Sequence, residues 1–117
     1  MRVLICEPGK KPKVKKIKNT LESLRAIVKG PIENVRIDYD LNLICNEEGK
    51  LTNLSPNIFI HEDIIAGPCI IAANDQTNED YESLSMKQIH KALVGIALQN
   101  TNNGYLMQYA KNTYYKE

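Results

Sequence analysis

Between Gly67-Pro68 and the polar Asn74, the segment Cys69-Ile70-Ile71-Ala72-Ala73 holds five apolar residues in unbroken succession. A run of that length is too short for a core helix and predicts a buried strand. The chain around it has 117 residues, enough for one compact domain with a single small core. Aromatic residues make up 6% of the sequence, with no Trp and only Phe59 as phenylalanine, so Ile, Leu, Val and Ala must fill that core.

Spacing predicts the other elements. Val3 to Cys6 is an apolar run closed by Pro8-Gly9, and Lys13 to Ile17 alternates after Pro12, so two strands are joined by a loop with Lys10 and Lys11 at its tip. Leu21, Leu24, Ile27 and Val28 fall at helical spacing behind Asn19 or Thr20, and Asn19 with Glu22 approximates a capping box. Gly30 is expected to supply the left-handed C-cap, and Pro31 prevents continuation. Ile32 to Tyr39 and Leu41 to Cys45 read as an antiparallel pair turned at Asp38 to Asp40, with a bulge where the alternation breaks at Asn34-Val35. Asn46-Glu47-Glu48-Gly49-Lys50 has the composition of a hairpin turn with Gly49 at positive φ, and Lys50 to Leu54 is expected to pair back as a strand. Ser85 and Gln88 form a second capping box ahead of Met86, Ile89, Ala92, Leu93, Ile96 and Ala97, a single helical stripe.

These elements predict an α+β domain over residues 1–99, with a mainly antiparallel sheet of about five strands packed by two helices. Residues 100–117 form a separate tail that holds four of the six tyrosines, with Leu106, Tyr109 and Ala110 at helical spacing. A tyrosine-rich helix docked on the domain or on a second copy is expected there, and with it a homo-oligomer.

The net charge of +1 conceals an asymmetry, since residues 1–29 carry +7 and residues 30–117 carry −6. No apolar run approaches the roughly 20 residues that cross a bilayer. The apolar start is stopped at Glu7-Pro8-Gly9, too early for a signal peptide, so a cytoplasmic protein without a membrane partner is expected. Cys6, Cys45 and Cys69 each lie inside an apolar stretch and read as buried thiols. With only His61 and His90 and no Cys-x-x-Cys, neither a metal nor a cofactor is expected.

Several of these segments recur in a fixed order: Glu7-Pro8-Gly9-Lys10-x-Pro12, Leu21-Glu22-Ser23-Leu24, Val28-x-Gly30-x-Ile32-Glu33, Asn46-Glu47-Glu48-Gly49-Lys50, Asp63-x-Ile65-x-Gly67 and Ser83-Leu84-Ser85. Over residues 1 to 95 the chain resembles the family of domain of unknown function 3846, small proteins of bacteriophages and mobile elements of Gram-positive bacteria. Asn57 is similar to the asparagine that family members carry before the Asp-x-Ile-x-Gly segment, and Ile58 stands where a basic residue is often found beside it. The resemblance implies a phage or mobile-element origin and carries no catalytic residues with it.

Lys10, Lys11, Lys13, Lys15, Lys16 and Lys18 place six positive charges in nine residues, a set that either protects an exposed sheet edge or attracts an anionic partner. No helix-turn-helix, zinc finger or aromatic platform for reading bases is visible, which leaves nucleic-acid binding open. Glu47 and Glu48 are adjacent and diverge instead of facing each other across a substrate, and Gly9-Lys10-Lys11-Pro12 lacks the second glycine and the Ser/Thr of a phosphate loop. A non-catalytic protein is therefore expected, not an enzyme. One reading has it bind and sequester a small nucleotide-type immune signal as a phage counter-defence protein. Lys10 and Lys11 would take the phosphates, and Asn46, Glu47 and Asn57 the base or sugar. The alternative is an interaction protein that blocks a host or nuclease complex through the basic strand or the acidic loop Asp75 to Glu82. A pocket distinguishes the first from the second, which needs only a surface patch.

Overall fold

All six residues of the strand at Cys69–Asn74 are buried, and the layers that bury it define the molecule. The computed structural model describes residues 1–60, 63–74, 80–99 and 107–108. Along the chain these form β1 (Arg2–Cys6), β2 (Lys13–Lys16), helix α1 (Leu21–Val28), β3 (Ile32–Asp38), β4 (Leu41–Asn46) and β5 (Pro56–Ile60). There follow β6 (Asp63–Ala66), β7 (Cys69–Asn74), β8 (Tyr81–Glu82), helix α2 (Met86–Gln99) and β9 (Met107–Gln108). The main sheet runs β2-β1-β7-β4-β3 with β8 on the end of β7, and every pair in it is antiparallel. This is the expected α+β architecture. A second, smaller sheet, β6-β5-β9, was not foreseen.

Alternate side chains leave opposite faces of a strand. On one face Val3, Ile5, Ile44, Ile70 and Ala72 meet Leu24 and Val28 of α1. On the other, Leu4, Leu43 and Ile71 meet Ile58 and Ile65 of the small sheet and Ile89, Ala92 and Ile96 of α2. The continuous apolar character of β7 follows from this double cover.

The caps refine the sequence reading. Thr20 is the N-cap of α1, its Oγ1 accepting the Ser23 N–H at 3.1 Å. The left-handed residue at the other end is Lys29 (φ 69°), not Gly30. Glycine is needed at 30 because a Cβ there would lie 2.7 Å from the Asn46 amide nitrogen. Ser85 and Gln88 close a reciprocal box at α2, Ser85 N–H to Gln88 Oε1 at 2.8 Å and Gln88 N–H to Ser85 Oγ at 3.1 Å.

Three expectations fail in the middle of the chain. The register shift in β3 falls between Arg36 and Asp38 instead of at Asn34-Val35. Residues 50–54 form no strand, because the Thr52 and Leu54 N–H groups return to the carbonyls of Glu48 and Gly49 at 3.0 and 2.9 Å and coil the segment on itself. Gly49 is not at positive φ; a Cβ there would stand 2.6 Å from the Ala66 carbonyl oxygen. Of the expected tyrosine-rich helix over 100–117, only Met107–Gln108 lies within the described residues, as the short strand β9 beside β5. Residues 75–79 of the acidic loop also lie outside them. No helix among the described residues is long and apolar enough to cross a membrane.

Candidate functional site

Strand β4 ends in Asn46, whose carboxamide is almost fully buried and joins two elements. Its Nδ2 donates to the Val28 carbonyl at the end of α1 at 3.1 Å, and its Oδ1 accepts the Glu48 N–H at 2.7 Å. The amide thereby aims the turn that follows. That turn folds back until Gly49 lies against the backbone of Ala66 in β6, the close approach that excludes a side chain at 49. Between the turn, β3 and β6 opens a cleft of about 330 Å³, lined by Glu33, Glu47, Lys50, Leu51, Asp63 and Ile64 among others. That volume is at the small end of the range for ligand sites.

The cleft is acidic. Among the described residues that line it, Glu33, Glu47 and Asp63 face one cation, Lys50, and Lys50 donates to the Asp63 carboxylate. This bond, followed by the Ile64 N–H donating to Asp63 Oδ1 at 2.8 Å, holds Asp63 below the usual carboxylate range. Such walls suit groups that donate hydrogen bonds, hydroxyls and amines, and disfavour phosphate. Cys45 also borders the cleft, with its thiol 3.8 Å from the Glu33 carbonyl and 3.9 Å from Glu33 Oε1. Burial first, and then the Glu33 charge, push this thiol up to about 11. At neutral pH it is protonated and a poor nucleophile. Among the described residues, no group of three His, Cys, Asp or Glu is disposed to hold a metal ion.

Of the residues singled out in the sequence, Asn46 and Glu47 line the cleft. Lys10 and Lys11 do not; they are exposed in the β1–β2 turn, where Lys10 Nζ lies 3.6 Å from Glu7 Oε2. The pairings Cys6 with Cys69 and Ile44 with Ile70 nevertheless put the ends of β1 and β4 at the same end of the sheet. One strand, β7, separates them, so the backbones there are roughly 10 Å apart. Asn57 is not among the residues that line the cleft; it is wholly buried, its Nδ2 donating to the carbonyls of Cys6 at 2.8 Å and Gly67 at 2.9 Å. It ties the start of the lysine turn to the residue after Ala66, a scaffold position. Glu33, Lys50, Leu51 and Asp63 escaped the sequence reading of the site. Glu33 becomes visible only through its cross-strand pairing with Cys45.

No curated protein matches the chain, and no solved structure does. The family model described as "Domain of unknown function (DUF3846)" matches residues 1–96, most of the chain and the whole span from β1 through the cleft to α2, and the chain belongs to that family.

Proposed function

We propose that the protein is a non-catalytic accessory protein of a phage or mobile element that binds and sequesters a small nucleotide-type immune signal. The observation that carries this reading is a division of charge at one end of the sheet: an acidic cleft at the end of β4 and a lysine turn at the end of β1. A nucleotide has the same division. Its ribose hydroxyls and base amino group match Glu33 and Glu47, and its phosphates match Lys10 and Lys11. Leu51, 85% exposed on the rim, offers apolar contact to a base. The protonated Cys45 thiol supports binding without covalent chemistry. The same reading has the protein self-associate through residues 100–117.

Calorimetry against a panel of cyclic oligonucleotides and ADP-ribose derivatives tests the proposal. Binding is expected, and Glu47→Ala and the Lys10→Ala/Lys11→Ala pair should each weaken it by about tenfold to a hundredfold. If no member of the panel binds below the millimolar range, or if both variants bind as the parent does, the proposal fails. Asn46 and Asn57 are unsuitable probes, since their amides hold the fold.

A further inference from the structure

The cleft does not use the lysines of β2. This strand is the outermost of the main sheet, and all four of its residues, Lys13, Val14, Lys15 and Lys16, are exposed. Lys13 and Lys15 pair with Ile5 and Val3, whose side chains point to the α1 face, so they share that face; Lys16 leaves the opposite one. The edge is thus one strand thick with ammonium groups on both sides. Among the described residues no carboxylate forms an ion pair with Lys11, Lys13, Lys15, Lys16 or Lys18, and the one pair in the region joins Lys10 to Glu7. Lysines on an edge strand block edge-to-edge pairing, and charge left unneutralised there also raises the local concentration of anions.

We infer that the β2 edge docks on the backbone of duplex nucleic acid without reading its sequence. A thin edge with cations on both sides complements a groove, which carries a row of phosphates along each rim, and the major groove is about 12 Å wide. The strand offers no Arg, Asn, Gln or aromatic side chain, and its lysines, compact point charges on flexible stems, are placed toward the phosphate rows. A membrane surface is a poorer fit, because Val14 is the strand's only apolar residue and no Trp, Phe or Leu lies on β2 to enter the bilayer.

Fluorescence anisotropy with a short labelled DNA duplex of arbitrary sequence, titrated at rising salt, tests this. The parent should bind at low salt and weaken steeply as salt rises. The triple variant Lys13→Gln/Lys15→Gln/Lys16→Gln should lose at least about tenfold in affinity, and its log–log salt slope should flatten by about 2.7, three phosphate contacts at about 0.9 each. The corresponding triple Arg variant should bind as the parent does, and so should Lys87→Gln on the exposed surface of α2. The inference is overturned if the duplex does not bind at low salt, if the triple Gln variant binds within about twofold of the parent, or if phosphatidylglycerol vesicles retain the protein while the duplex does not. Because Lys10, Lys11 and Glu47 are untouched, these outcomes are independent of nucleotide binding in the cleft.

Discussion

Asn57 shows how one side chain can organise a site that it does not enter. Its amide nitrogen serves two backbone carbonyls from different parts of the chain, and no aliphatic side chain can replace it. Asn57→Ala should therefore cost about 2–3 kcal/mol, measurable by urea denaturation, because two buried carbonyls lose their donor. A loss under about 0.5 kcal/mol would contradict the contact. Asn57 came forward as a ligand residue through its likeness to the asparagine that family members carry before the Asp-x-Ile-x-Gly segment, and only the convergence of the Cys6 and Gly67 carbonyls around it reveals its place in the scaffold. Cys45 makes a second prediction. Its folded-state pKa, raised to about 11, lies above the ordinary thiol value of 9.0, so between these pH values the unfolded chain has released a proton that the folded protein retains. Stability should thus fall as pH rises from about 9 toward 11, and Cys45→Ala should lose that part of the slope. Equal slopes in the two proteins would refute it.

At the scale of elements, α2 is held by an ion cluster as well as by its apolar stripe. Lys91 Nζ lies 3.2 Å from both Asp38 Oδ2 and Asp40 Oδ1, Gln88 Nε2 donates to Asp40 Oδ2 at 2.9 Å, and the Lys91 ammonium sits 4.9 Å from the centre of the Tyr39 ring. Burial alone would lower the Lys91 pKa, but the hydrogen bonds to Asp38 and Asp40 outweigh it and hold the group above its ordinary value. Lys91→Met should destabilise the protein by about 2 kcal/mol in chemical denaturation, since it strands the buried Asp38 carboxylate, and adding Asp38→Asn should recover part of the loss. Purely additive losses would mean the pair is not coupled. The helix and its Ser85–Gln88 box were legible because period and cap are local. The clamp was not, since Lys91 and Asp38 are brought together only by tertiary packing. The strand expected over 50–54 failed for a related reason. Leu51 and Leu54 fit a strand as well as a coil, and the bonds from the Thr52 and Leu54 N–H groups to the Glu48 and Gly49 carbonyls that decide between them leave no periodic trace.

Across the whole molecule, the ordered family motifs and the charge asymmetry were readable from the chain, and the motifs led to the right family. The second sheet was not, because β5 and β6 pair with each other and not with the main sheet. With it went the wall that turns a surface loop into a cleft. The proposed self-association belongs to this scale: deleting residues 101–117 should lower the mass measured by light scattering, and equal monomer masses for both proteins would end that idea. Under the proposed function, one ligand spans the acidic cleft and the lysine turn. Amide chemical shifts recorded by NMR during titration with the tightest nucleotide of the panel test it most directly. Saturable shifts are expected at Glu47, Gly49, Leu51 and Ile64 together with Lys10 and Lys11, whereas shifts confined to β2 or α2, or none at saturating ligand, would rule out a ligand bridging the two.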